Sequence, residues 1–267
     1  MILYIEAQQK EVLIKETTMG FIELERSDGI ATLVLNRGKV NALNGIVVDE
    51  LGGLLTTLEN DRQTKSVILT GNGRFFSFGF DIPEFLPFTR DRFALYLTRF
   101  TALYTYLFLY PKPVVAALNG HTIAGGCMLA LACDYRVMAL GKAKISLNEI
   151  GFGSSVFAGS TEMLRFWVGS AKATEVLYSG GMYSAEEAKN VGLVQEVTTE
   201  KNVLSSAREV AQNLAAKSPE AFASIKSLLR KPVAEEMGRR EDQSIKEFLD
   251  IWYSEATRAN LQNIKIY

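Results

Sequence analysis

Two short apolar runs, residues 21–24 and 31–35, flank Ser27-Asp28-Gly29, and apolar runs around an Asp-Gly pair predict a β-hairpin. After Asn44, the positions Val47, Leu51, Leu54, Leu55 and Leu58 recur at helical spacing. The chain then passes through polar residues 60–64 into Ser66-Val67-Ile68-Leu69, which reads as a buried strand. Residues 92–110 form a long, aromatic-rich helical pattern stopped by Pro111 and Pro113, and Val114-Val115-Ala116-Ala117 is the next strand. Beyond a turn at Asn119-Gly120, residues 125–131 predict a short helix and residues 135–139 another strand. From Phe157 onward the pattern is mostly helical, with breaks near Gly180-Gly181, Ser218-Pro219 and Pro232. Residues 235–267 set Ile245, Phe248, Leu249, Trp252, Ala256, Ala259 and Ile264 among charges, and such an amphipathic stretch needs a partner surface.

Strands alternating with helices imply an α/β fold with a largely parallel sheet covered by helices. No fixed-period repeat and no Gly/Ser- or Pro-rich linker divides the chain, so one domain is expected: residues 1–200 as its core and residues 201–267 as a helical C-terminal extension. The 267 residues are 48% hydrophobic and 22% charged with only 6 prolines, which fits a folded globular chain and not a disordered one.

Charge and cysteine content narrow the function classes. Lys plus Arg (29) balances Asp plus Glu (30), leaving no global field for a nucleic-acid partner. Cys127 and Cys133 are too few for a disulfide framework and sit in an apolar stretch, which favours reduced, buried thiols and a cytoplasmic location. Residues 1–14 lack the basic-then-apolar pattern of a signal peptide, so no export is expected. The uncharged stretch 113–133 has the length of a membrane span, but Asn119, Gly120, His121, Gly125 and Gly126 interrupt it; a buried strand, turn and helix explain it better, and no membrane partner is expected.

The usual nucleophile and metal signals are missing. His121 is the only histidine and cannot supply a metal cluster; beside Asn-Gly it reads as a turn residue or a satisfied polar group. Gly71-Asn72-Gly73 follows a strand but lacks the Lys-Ser/Thr ending of a phosphate loop. Two segments remain: Ser77-Phe78-Gly79-Phe80-Asp81-Ile82 and His121-Thr122-Ile123-Ala124-Gly125-Gly126-Cys127. Each could present an exposed N–H, and a pair of such donors can hold a developing oxyanion, best with one at a helix N-terminus. Spacing alone favours reading both as ordinary tight turns.

These segments belong to a longer series of blocks. Leu35-Asn36-Arg37 is followed by Val40-Asn41-Ala42-Leu43-Asn44, then by Gly73-Arg74-Phe75-Phe76 running into the first segment. Lys112-Pro113-Val114-Val115-Ala116-Ala117-Leu118-Asn119-Gly120 leads to Ala124-Gly125-Gly126-Cys127, then Ala132-Cys133-Asp134-Tyr135-Arg136, and last Asn148-Glu149-Ile150-Gly151. From about Phe21 to its C-terminus the chain resembles the crotonase superfamily, the enoyl-CoA hydratase/isomerase family, whose motifs occur in this order.

The resemblance implies a crotonase (ClpP-like) spiral of ββα units with a helical extension that trimerises, giving a homotrimer or a dimer of trimers. It implies acyl-CoA thioester substrates and no separate cofactor, coenzyme A being part of the substrate. The oxyanion donors would be the backbone N–H groups of Phe80 and Gly125. Ala42 and Leu43, with Ser77, Phe78, Gly79, Asp81 and Ile82, would lie against the CoA moiety, and Gly126 and Met128 would complete the acyl site. Hydratases similar to this chain use two glutamates, one placed two residues after the Gly-Gly pair; here that position is Met128, which transfers no proton. Only Glu149 remains, and Ser146-Leu147-Asn148-Glu149 resembles the delta-3,delta-2-enoyl-CoA isomerase branch, in which one Glu shuttles a proton between C2 and C4.

Alternatives stay open at this level. Glu149 also reads as a surface carboxylate at a strand end, Asp81 as a helix cap, and Glu84 as a spare carboxylate. Phe75, Phe76, Phe78, Phe80, Phe85, Phe88, Phe152 and Phe157 are candidates to line an apolar site or simply to fill the core. A crotonase-type decarboxylase or dehydratase on a CoA- or carrier-bound acyl group competes with the isomerase. A catalytically silent acyl-CoA- or RNA-binding homologue is the reading from another class; for it the basic residues Lys226, Arg230, Lys231, Arg239 and Arg240 offer only a solvated helix face or a site for CoA phosphates.

Overall fold

The computed structural model describes residues 14–16 and 20–264. The reading of residues 1–14 as carrying no signal peptide therefore falls, except for Ile14, outside the described residues.

A hairpin comes first. β2 (Ile22–Ser27) and β3 (Ile30–Leu35) pair antiparallel across Asp28 and Gly29, whose φ values of 52° and 76° match the twist of a two-residue turn. β1 (Ile14–Glu16) adds to the outer edge of β2. Asn44 then caps α1 (Gly45–Asn60) by accepting from the Val47 amide at 3.1 Å, and Val47, Leu51, Leu55 and Leu58 form its buried stripe.

From here a ββα rhythm sets in. β4 (Ser66–Gly71) and β5 (Phe75–Ser77) precede the short α2 (Ile82–Phe85) and the long α3 (Arg90–Leu109), which ends just before Pro111. β6 (Val114–Leu118) and β7 (His121–Ile123) precede α4 (Gly125–Ala132). β8 (Tyr135–Ala139) and β9 (Ile145–Ser146) precede a 3-10 turn at Glu149–Phe152 and α5 (Ala158–Ser179), which is kinked at Gly169. In each unit the first strand joins the seven-stranded sheet, ordered β1-β2-β3-β4-β6-β8-β10, and the second joins a three-stranded sheet, ordered β5-β7-β9. Both sheets are parallel from β3 onward. Stretch 113–133 is thus strand, turn, strand and helix. Among the described residues no helix is long and apolar enough to cross a membrane.

The C-terminal region is helical: α6 (Ala185–Val191), α7 (Val203–Ala215), α8 (Pro219–Trp252) and α9 (Glu255–Leu261). It departs from the sequence reading in three ways. β10 (Glu196–Thr198) is a strand, fixed by parallel pairing with Val137–Ala139 and too short to show a period of two. Pro232 does not break α8, because buried residues on both sides of it, Lys226 and Arg230 before and Ala234 and Met237 after, hold the two halves to the body. The carbonyl it leaves without a helical donor belongs to Leu228, a residue 76% exposed in the chain.

The third departure concerns the basic cluster. Lys226 and Arg230 are buried, their side chains only 4% exposed, and both pair with Asp134. Burial and pairing remove them from any solvated face or phosphate site. The apolar side of the tail also finds its partner within the chain: Ile245, Phe248, Leu249 and Trp252 are buried in the chain's own core.

Candidate active site

Because β5, β7 and β9 run parallel, the segments leaving their C-terminal ends emerge on the same side of the small sheet, the edge at which parallel α/β proteins build their sites. Those segments are residues 78–82, residues 124–126 and residues 147–149.

The first segment is held by its own backbone. Phe78 N–H donates to Val40 O at 2.9 Å, Gly79 N–H to Ser77 Oγ at 3.1 Å, Asp81 N–H to Leu43 O at 3.0 Å and Ile82 N–H to Phe80 O at 2.9 Å. Leu43 N–H donates in turn to Gly79 O at 2.7 Å, so the Ala42-Leu43 loop lies along the segment as an added strand. Among the described residues the Phe80 amide alone in this run has no acceptor. Arg37 ties the same pieces together, donating to Ala42 O at 3.1 Å and pairing with Asp81 at 2.6 Å and Glu84 at 3.1 Å. Asp81 caps α2 by accepting from the Glu84 amide at 3.2 Å, as its helix-cap reading requires.

The second segment turns sharply at Ala124 (φ 50°, ψ −119°), a conformation that L residues seldom adopt and that strain at functional turns often selects. This turn starts α4 at Gly125, whose N–H finds no acceptor among the described residues. The two segments touch. Gly79 sits at φ +91°, and a Cβ there would lie 2.9 Å from Ile123 O and 3.0 Å from the Gly125 nitrogen. A Cβ on Gly126 would lie 2.6 Å from Ser77 O. Only glycine permits this approach, so Gly79→Ala is expected to cost ~1–3 kcal/mol in a denaturant titration. A variant as stable as the parent would show that the turn yields freely.

The third segment carries Glu149 on the 3-10 turn. It is no surface carboxylate. Glu149 is 5% exposed, neither of its oxygens has a hydrogen-bond partner, and burial pushes its pKa up to about 8. It faces a cavity of ≈ 370 Å³ that Phe80, Gly125 and Met128 also line, and among the described residues Glu149 is the only ionisable group in that lining. Among the described residues no cluster of His, Cys, Asp and Glu could hold a metal.

Residues 25–263 match the family described as Enoyl-CoA hydratase/isomerase. The chain belongs to that family. It is 36% identical to the "Probable enoyl-CoA hydratase" of Bacillus subtilis over 213 residues, 79% of this chain and 82% of that protein. It is 34% identical to "Enoyl-CoA delta isomerase 1, mitochondrial" of Mus musculus over 229 residues, 85% of this chain and 79% of that protein. The crystal structure of human mitochondrial delta3-delta2-enoyl-CoA isomerase superposes with a TM-score of 0.83 at 29% identity, covering 94% of this chain and 95% of that one. The crotonase spiral expected from the motifs is therefore this chain's fold.

Within this family fold, the expected site residues divide by position. Phe78, Phe80, Ile82, Gly125, Met128 and Glu149 line the cavity. Ala42, Leu43, Ser77, Gly79, Asp81 and Gly126 lie behind the lining, where they fix the two glycine segments against each other. Glu84 is bound by Arg37 and Asn44 and does not face the cavity. Of the phenylalanines, Phe78, Phe80, Phe152 and Phe157 line it, whereas Phe76 and Phe85 are fully buried core and Phe75 and Phe88 pack elsewhere. His121 lies on β7, half-buried against the Phe75 ring. Sequence reasoning did not foresee the far wall. Ser154 follows the Glu149 turn, and Phe248, Trp252 and Ile264 arrive from the C-terminal helices. The amphipathic pattern of residues 235–267 announced a buried face, but not that this face closes the cavity.

Proposed function

We propose that this family member moves a double bond, converting a 3-enoyl-CoA to the 2-enoyl-CoA. The observation that carries the reading is a cavity whose described lining has one ionisable side chain, Glu149, unpartnered and desolvated, and has apolar Met128. Isomerisation needs one carboxylate. Hydration needs a second group to activate water, and among the described residues this lining offers none.

In this reading the thioester oxygen accepts hydrogen bonds from the amides of Phe80 and Gly125. The Glu149 carboxylate takes a proton from C2, charge moves onto the oxygen, and the dienolate collapses as the carboxyl returns the proton at C4. Each amide donor contributes about 3–4 kcal/mol to the charged intermediate. The CoA moiety runs along residues 42–43 and 77–82, outside the apolar cavity. A decarboxylase gains no support, since among the described residues no cation lines the cavity to receive a malonyl-type carboxylate. Assembly as a homotrimer or a dimer of trimers belongs to the same proposal, and Ile225, Leu228 and Leu229, exposed at 59%, 76% and 59% on α8, support a buried contact between copies.

The test is a paired assay. Incubation with a 3-enoyl-CoA is expected to give the conjugated 2-enoyl thioester, read by its absorbance, while a 2-enoyl-CoA gains water at least 100-fold more slowly, about the effect of one missing acid/base group. Hydration as fast as isomerisation would overturn the assignment.

A further inference from the structure

The cavity holds more unpaired polarity than moving a double bond requires. Besides Glu149, three lining residues bury an atom that has no partner among the described residues: Trp252 Nε1, Ser154 Oγ and Asn148 Oδ1. Trp252 is 1% exposed and Ser154 is 7% exposed, and they reach the cavity from unrelated elements, the end of α8 and the loop after the Glu149 turn. Buried polar atoms without partners are rare in folded proteins, and several around one cavity imply that what fills it supplies the missing bonds.

Their chemistry says what that occupant offers. The indole N–H only donates, the amide oxygen only accepts, and the serine hydroxyl does either. A hydroxyl group meets this set, accepting from Trp252 Nε1 and donating to Asn148 Oδ1 or Ser154 Oγ. A purely hydrocarbon chain would displace water from these atoms and leave them unpaired. A carboxylate would sit beside Glu149 without a cation, because among the described residues no Lys, Arg or His lines the cavity.

We propose that the acyl group this site takes carries a neutral hydroxyl beyond C4, held by Trp252 and Ser154 with Asn148. This rests on the acyl-CoA reading above: with the thioester at Phe80 and Gly125 and Glu149 spanning C2 to C4, the wall built by Phe157, Phe248, Trp252 and Ile264 is left for the rest of the chain. Trp252 is then a specificity-determining residue, fixed in place by ring contacts to Phe93 at 4.7 Å and Phe248 at 5.7 Å.

Saturated thioesters test this apart from catalysis, since they hold no double bond to move. Calorimetric titration of the full chain compares octanoyl-CoA with its 5-, 6- and 7-hydroxy derivatives and with an ω-carboxy analogue. At least one hydroxy derivative is expected to bind about tenfold more tightly than octanoyl-CoA, and the carboxy analogue more weakly. In Trp252→Phe that ratio is expected to fall to about one to two, and in Ser154→Ala to fall part of the way. Hydroxy derivatives that bind no better than octanoyl-CoA, or a tenfold preference that survives in both variants, would overturn the hydroxyl proposal alone. Failure of every thioester to bind would overturn the acyl-CoA reading and this inference with it.

Discussion

Glu149→Gln is expected to lower kcat on a 3-enoyl-CoA by about 10³-fold, within the range that general acid/base groups contribute. The reason is singularity. Among the described residues every other one lining the cavity is without an ionisable group, so none of them can take over the proton transfer. The glutamine fills the same space and leaves the Phe80 and Gly125 amides where they are, so KM is expected to change far less than kcat.

The same carboxyl sets a pH dependence. Burial without a partner raises its pKa to about 8, so the wild-type kcat/KM is expected to rise about tenfold per pH unit below pH 8 and to level off above it. Stability runs the other way. Between the ordinary value of 4.5 and about 8 the folded state keeps a proton that the unfolded chain has lost, so stability falls as pH rises through that window. Glu149→Gln removes the effect. Its melting temperature is expected to exceed that of the wild type at pH 8.5 and to match it at pH 4. A variant that keeps wild-type turnover, or an activity that falls as pH rises from 6 to 8, would end the case for Glu149 as the base.

Much of this arrangement could be read in the sequence wherever a pattern had room to repeat. The hairpin around Asp28-Gly29, the stripe of α1 and the run of β6 each carry enough residues to show their period or their turn chemistry. β5, β7, β9 and β10 have two or three residues each, and their existence depends on partners far along the chain, such as the pairing of Thr122 with Ile145. The floor of the site was legible because close backbone approach demands glycine, which leaves Gly79, Gly125 and Gly126 as visible marks. Its far wall was not. Trp252 meets Phe93 of α3 through tertiary packing that no local pattern encodes. Lys226 and Arg230 misled for the same reason: charges spaced along a helix look solvated until the carboxylate they meet, Asp134, is seen to lie nearly 100 residues upstream.

That carboxylate carries the second large effect: Asp134→Ala is expected to destabilise the fold by ~3–5 kcal/mol in chemical denaturation, the range for breaking one side of a buried ion pair. Asp134 accepts from Lys226 Nζ at 2.8 Å and from the Val114 amide at 2.7 Å, and its other oxygen pairs with Arg230 at 3.0 Å. Arg230 also donates to the carbonyls of Phe108, Ala132 and Cys133 and stacks on the Phe108 ring at 4.4 Å. These contacts dock the first half of α8 on the body, and the second half of that helix supplies Phe248 and Trp252 to the cavity. The loss comes from stranding two buried cations more than from forfeiting their attraction to the carboxylate. Burial already lowers the Lys226 pKa to about 8 against the pull of Asp134, so without Asp134 the lysine is expected to lose its proton more readily still. Adding Lys226→Met to Asp134→Ala is therefore expected to recover part of the stability, which simple additivity of two damaging changes would not allow. If Asp134→Ala costs less than about 1 kcal/mol, the cluster is wetter than its burial implies, and its hold on the cavity wall is correspondingly weak.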